Sequence, residues 1–89
     1  MNKDLLIQLT KSYLHKNNPS ISNVFLTVKE QNFDYTCINF YYLRHNVEIR
    51  IYSNTFIKFR VNDRTTRICS DINSIRKAID DLQIYIWEY

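Results

Sequence analysis

Residues 24–69 read VFLTVKEQNFDYTCINFYYLRHNVEIRIYSNTFIKFRVNDRTTRIC. Apolar and polar residues alternate through this stretch in five short runs, and at four of the breaks stands an asparagine: Asn32, Asn46, Asn54 and Asn62. Alternation with period two sends successive side chains to opposite faces of a sheet. Tight turns often need positive φ, and in a chain with no glycine the residue that tolerates it best is asparagine. The stretch therefore spells out an antiparallel meander and its turns.

The first strand is expected over 23–30, with Val24, Leu26 and Val28 on one face and Phe25, Thr27 and Lys29 on the other. The second, 35–44, opposes Ile38, Phe40 and Tyr42 to Cys37, Asn39, Tyr41 and Leu43. Being apolar on both faces, it reads as central. The third, 47–52, turns Val47, Ile49 and Ile51 inward and Glu48, Arg50 and Tyr52 outward. The fourth, 55–61, turns Ile57, Phe59 and Val61 inward and Phe56, Lys58 and Arg60 outward. A short fifth, 65–69, offers Thr66 and Ile68 inward and Arg67 outward.

Parity tests these assignments, because a slip of one residue reverses every face. Pairing Tyr42 with Ile49 leaves His45-Asn46 as the loop. Pairing Ile51 with Ile57 leaves Ser53-Asn54-Thr55 and sets Glu48 opposite Arg60. Pairing Phe59 with Ile68 or Thr66 leaves a short loop around Asp63. The hairpins are mutually consistent.

Helices flank the meander. Over 3–16, Leu5, Leu6, Leu9, Tyr13 and Leu14 form one broad stripe, Asn2 is a fitting N-cap, and Asn17-Asn18-Pro19 ends the helix. Over 71–88, Ile72, Ile75, Ile79, Leu82 and Ile86 form a continuous seam, capped by Ser70 or Asp71. The expected fold is α+β: an antiparallel β-meander of four to five strands, with an N-terminal and a C-terminal helix packed on one sheet face. Residues 1–89 read as a single compact domain.

Function is less legible. A net charge of +3 leans mildly toward acidic partners. Cys37 and Cys69 share no motif spacing and read as two reduced thiols. The apolar stretch Leu5-Leu6-Ile7 is broken by Gln8, Thr10 and Lys11, too short for a secretory segment or a membrane span. A cytoplasmic protein without membrane contact is expected. His15 and His45 have no ligand at metal spacing, so no metal and no cofactor is expected. Without glycine there is no phosphate loop of the usual kind, and no nucleophile stands beside a base, so no catalytic residue is assigned and the chain does not read as an enzyme.

With both helices on one face, the other is open. Its outward side chains mix cations and rings, and Tyr41, Arg50, Tyr52, Phe56, Lys58, Arg60 and Arg67 are the expected partner-binding residues. Arg50 opposite Lys58 is a costly like-charge pair, which an anionic partner would relieve. Such a surface suits a protein patch or a protein–nucleic acid complex, or single-stranded nucleic acid itself, or a second copy of the chain. It also reads, without any partner, as a solvated face covered by the stems of Tyr and Arg. Asp80, Asp81 and Glu88 on the last helix form an alternative, acidic contact.

The order helix, strands, helix resembles the double-stranded RNA-binding domain in topology alone. That family carries a glycine-containing loop and a basic run opening its last helix. Here that helix opens Ser70-Asp71-Ile72-Asn73. Richness in Asn, Ile, Lys and Tyr is what an AT-rich genome produces, such as that of a low-GC bacterium, its phages and plasmids, or some eukaryotic viruses and parasites. The reading is a small non-enzymatic interaction protein that binds and modulates or inhibits a larger partner. A phage or mobile-element accessory fits, of the anti-CRISPR or host-enzyme inhibitor kind, acting in the host cytoplasm.

Overall fold

The computed structural model describes residues 2–17, 27–31 and 35–87. In chain order these form α1 (Lys3–Asn17), β1 (Thr27–Gln31), β2 (Tyr35–Tyr42), β3 (His45–Ile51), β4 (Ile57–Val61), β5 (Arg64–Cys69), α2 (Ile72–Asp80) and α3 (Leu82–Trp87). The strands make one antiparallel sheet in sequence order, so the fold is the expected α+β meander with a helix at each end. Residues 23–26 of the expected first strand, Phe25 among them, lie outside the described residues, as does the turn at Asn32.

The helices begin where their caps dictate. The Asn2 side-chain oxygen accepts the Leu5 amide at 2.8 Å. Asp71 and Ser74 form a reciprocal capping box, with the Ser74 amide 2.8 Å from the Asp71 carboxylate. The buried line of α1 is Leu6, Thr10 and Leu14, with Ile7 and Tyr13 at its margin. Leu5, expected on that stripe, is 46% exposed. Thr10 replaces it because its hydroxyl donates to the Leu6 carbonyl at 2.7 Å and so enters the core satisfied. The expected single C-terminal helix is two, broken at Asp81 (φ −89°, ψ 8°), where the Ile84 amide closes a tight turn on the Asp81 carbonyl at 2.9 Å.

Ile38, Phe40, Tyr42, Val47, Ile49, Ile51, Ile57, Phe59 and Val61 all turn to one sheet face and form a single cluster with Leu6, Leu14, Ile75, Ala78, Ile79 and Leu82 of the helices. Transfer of this apolar surface from water is the main drive for the layered arrangement.

Two hairpins differ from expectation. The β2–β3 turn falls on Leu43-Arg44, both at positive φ (48° and 70°), so Tyr42 pairs with His45 and Ile38 with Ile49. A turn at His45-Asn46 would have set Arg44 on the core face opposite Val47. The observed turn lifts that charge out of the sheet, and the slip is even, so every face is kept. The β3–β4 hairpin has the expected register, with Ile51 opposite Ile57, Glu48 opposite Arg60 and Arg50 opposite Lys58. In its loop the Ser53 hydroxyl oxygen accepts the amides of Thr55 (3.3 Å) and Phe56 (3.1 Å).

The β4–β5 hairpin turns at Asn62-Asp63, again with positive φ (50° and 66°), and then bulges. Arg60 faces Thr65, but Phe59 faces Arg67, leaving Thr66 as the extra residue. The Thr66 hydroxyl donates to the Phe59 carbonyl at 3.1 Å. An odd slip inverts faces: beyond the bulge Arg67 lies on the helix side and Ile68 on the open side, the reverse of the alternation read from sequence.

Left-handed backbone costs a side-chain-bearing residue about 1–2 kcal/mol. Replacing Leu43-Arg44 by Asn-Gly, the preferred pair for such turns, should raise the unfolding free energy by about 1 kcal/mol in urea denaturation. A loss of stability would show that these two side chains stabilise the turn more than its backbone opposes it.

A candidate interaction surface on the sheet

The registers arrange the helix-free face in rows. The first is aromatic: Tyr35, Tyr52 and Phe56, with neighbouring ring centroids 5.1 and 5.2 Å apart and tilted. Such offset, tilted packing is the favourable geometry for rings. The second row is Cys37, Arg50, Lys58 and Ile68. The third is Asn39, Glu48, Arg60 and Thr65.

Cations of the second row rest on rings of the first. The Arg50 guanidinium carbon lies 4.8 Å from the Tyr35 ring centroid. The Lys58 ammonium lies 5.3 Å from Tyr52 and 5.9 Å from Phe56. These are cation–π distances. Glu48 stands between two arginines, accepting a hydrogen bond from Arg50 Nε and sitting 3.2 Å from Arg60 Nε in an ion pair outside hydrogen-bond geometry. Burial works against the Arg50 charge, but the bonds to Glu48 and Tyr52 outweigh it and hold the guanidinium more firmly protonated than usual. Arg60 is committed to its own hairpin, donating to the Thr65 hydroxyl at 3.1 Å and the Asp63 carbonyl at 2.8 Å. Among the described residues, no carboxylate lies in ion-pair contact with Lys58.

The structure therefore brings Arg50, Tyr52, Phe56, Lys58 and Arg60 together and separates the other two expected members. Tyr41 is 57% exposed on the same face but opposite Asn46, away from Arg50, because the turn at Leu43-Arg44 shifts the register. Arg67 does not belong to the surface. The bulge turns it to the helix side, where it donates to the Tyr85 hydroxyl at 3.1 Å and the Asp81 carboxylate at 3.4 Å. Its place is taken by Ile68, 55% exposed opposite Lys58. Sequence reasoning passed over Tyr35 and Glu48 as site members. Both share parity with the outward set, and parity was the signal that could have found them.

The alternative acidic face has structural tasks. Asp80 accepts from the Tyr13 hydroxyl at 2.7 Å and so ties α2 to α1. Asp81 is half-buried and ties the helix break to β5 through Arg67. Glu88 lies outside the described residues. Cys37 and Cys69 are buried and unbridged, and burial pushes the Cys69 thiol up. Among the described residues no three metal-binding side chains come together, and no helix is long and apolar enough to cross a membrane.

The Tyr13–Asp80 bond raises the Tyr13 pKa above its ordinary 10.0, and burial raises that of Tyr85. A phenol whose folded pKa is raised stabilises the fold fully below its unfolded pKa, and that stability is lost as pH rises through the folded value. The stability difference between the parent chain and Tyr13→Phe should hold constant from neutral pH to about 10 and shrink above it. Urea titrations across that range check this, and a difference that grows above pH 10 would contradict it.

No family model matches the chain, and no curated protein and no solved structure matches it, so the function of this surface rests on its own geometry.

Proposed function

We propose that this chain is a non-enzymatic interaction protein that lays its helix-free sheet face on a larger protein and modulates or inhibits it. The observation that carries this reading is the packed set of Tyr35, Tyr52 and Phe56 with Arg50 and Lys58 seated over the rings. Tyr and Arg on a rigid strand scaffold lose little conformational freedom on binding, which is why such residues dominate interface energetics. Phe56 and Ile68 remain 42% and 55% exposed and both border Lys58, giving the patch an apolar component.

Single-stranded nucleic acid is supported less well. Stacking of bases needs free ring faces, and here Arg50 covers Tyr35 while Lys58 lies over Tyr52 and Phe56. Phosphate tracking needs several free cations, and of Arg50, Lys58 and Arg60 the two arginines already share Glu48. A dimer joined face to face would bring Arg50 and Lys58 of one copy toward those of the other, a repulsive arrangement. The Asn-, Ile-, Lys- and Tyr-rich composition fits a phage or mobile-element accessory as the biological setting, with a partner in a low-GC bacterial host.

The test is affinity capture from such a host with the parent chain and with a folded Arg50→Glu/Lys58→Glu variant, alongside anisotropy titrations of labelled single-stranded DNA, duplex DNA and RNA at two salt concentrations. The expected outcome is a protein retained by the parent and lost by the variant, with no salt-sensitive nucleic-acid binding. Micromolar nucleic-acid binding that collapses with salt would replace this reading, and a double variant that keeps its protein partner would remove the sheet face from consideration.

A further inference from the structure

Among the described residues of β3 and β4, the charges on the sheet face do not balance. Arg50, Lys58 and Arg60 stand in adjacent positions of β3 and β4 with Glu48 as their one carboxylate partner among the described residues. Glu48 reaches Arg50 and Arg60, and among the described residues Lys58 has contacts with rings and no carboxylate in ion-pair reach. Arg50 and Lys58 are directly opposite each other, an arrangement that costs stability unless an anion sits between them. All of these groups are held in place: Arg50, Glu48 and Arg60 have side chains only 25%, 21% and 19% exposed, so their charges act in a partly desolvated setting.

Resting on the reading of this face as a protein-binding surface, we propose that it is a carboxylate-binding site for an acidic segment of the partner protein, anchored by Lys58 and Arg50, and that Glu48 is an internal competitor for it. In the free chain Glu48 holds Arg50 as a partner's Asp or Glu would hold it. An incoming carboxylate takes the Lys58 ammonium first, which Glu48 does not reach, and then shares Arg50, while Arg60 keeps its bonds to Thr65 and Asp63. Glu48 thus sets the affinity: it keeps the basic patch from attracting anions indiscriminately, and only a segment that also covers Phe56 and Ile68 gains enough to displace it. The partner is therefore acidic and apolar in close alternation, not a bare polyanion.

Fluorescence anisotropy with a fluorescein-labelled peptide alternating Glu and Leu tests this, with hexaglutamate and a labelled oligothymidylate as comparison probes. Glu48→Gln should bind the Glu-Leu peptide about threefold more tightly than the parent chain. Lys58→Met keeps the apolar stem over the rings and removes the charge, and it should weaken binding roughly fivefold. Hexaglutamate should bind more weakly than the Glu-Leu peptide in both backgrounds. A Glu48→Gln chain that folds by circular dichroism yet binds no tighter, or an oligothymidylate bound more tightly than either peptide, overturns the inference. Failure here with a partner still captured through the sheet face leaves the protein-binding reading intact. Loss of that capture removes the reading itself.

Discussion

Two pairs of residues forced into left-handed backbone, Leu43-Arg44 and Asn62-Asp63, set the registers on which the sheet depends. In a chain with no glycine each tight hairpin must place side-chain-bearing residues where φ is positive. Asn62 makes its turn serve further: its side-chain oxygen accepts the Asn46 amide at 3.1 Å, its own amide donates to the Asn46 carbonyl at 2.8 Å, and its side-chain nitrogen meets His45 Nδ1 at 2.9 Å. The β4–β5 turn is thereby fastened to the start of β3, and the position of β3 decides which residues face Arg50 and Lys58.

Most of the architecture was legible because it follows from local period. Ile49 and Ile51, or Ile57 and Phe59, can reach the core only from one face, and that choice fixed the central strands and the β3–β4 register. The Leu43-Arg44 turn was not legible, because asparagine tolerance for positive φ pointed to Asn46. What decided the matter was the cost of Arg44 on the core face, visible only once β2 and β3 are laid side by side. Asn46 became a hydrogen-bond partner for Asn62 instead of a turn residue, a role between elements that no period records.

The bulge at Thr66 was illegible for a related reason. Alternation in Arg64–Cys69 supports Ile68 inward as well as it supports Cys69 inward, and apolar bulk favoured Ile68. In the fold, Cys69 lies opposite Ile57 and is 1% exposed. Arg67 finds partners on the helix side because β5 is the last strand of the sheet. Its guanidinium reaches Asp81 and Tyr85 near the edge without entering the apolar centre. A central strand would have no such exit for a charge, since an unpaired buried cation is far costlier than an exposed isoleucine. Edge position and the Asp81 helix break are long-range facts, and together they made the inverted parity the stable one.

The inversion bears on what the open face can recognise. With Arg67 outward, a row of Arg50, Lys58 and Arg67 would have formed a cationic track suited to successive phosphates. With Ile68 there, the row ends in an apolar side chain, and Phe56 stands beside the same lysine. Glu48 neutralises part of what remains. A face assembled in this way presents a short charged centre with an apolar border, and the proposed protein contact would use it as a few buried anchors whose surroundings exclude water. The same bulge that secures Arg67 for the helix layer thus decides what the sheet layer presents, so that under the proposed function one inserted residue would set both fold stability and binding preference.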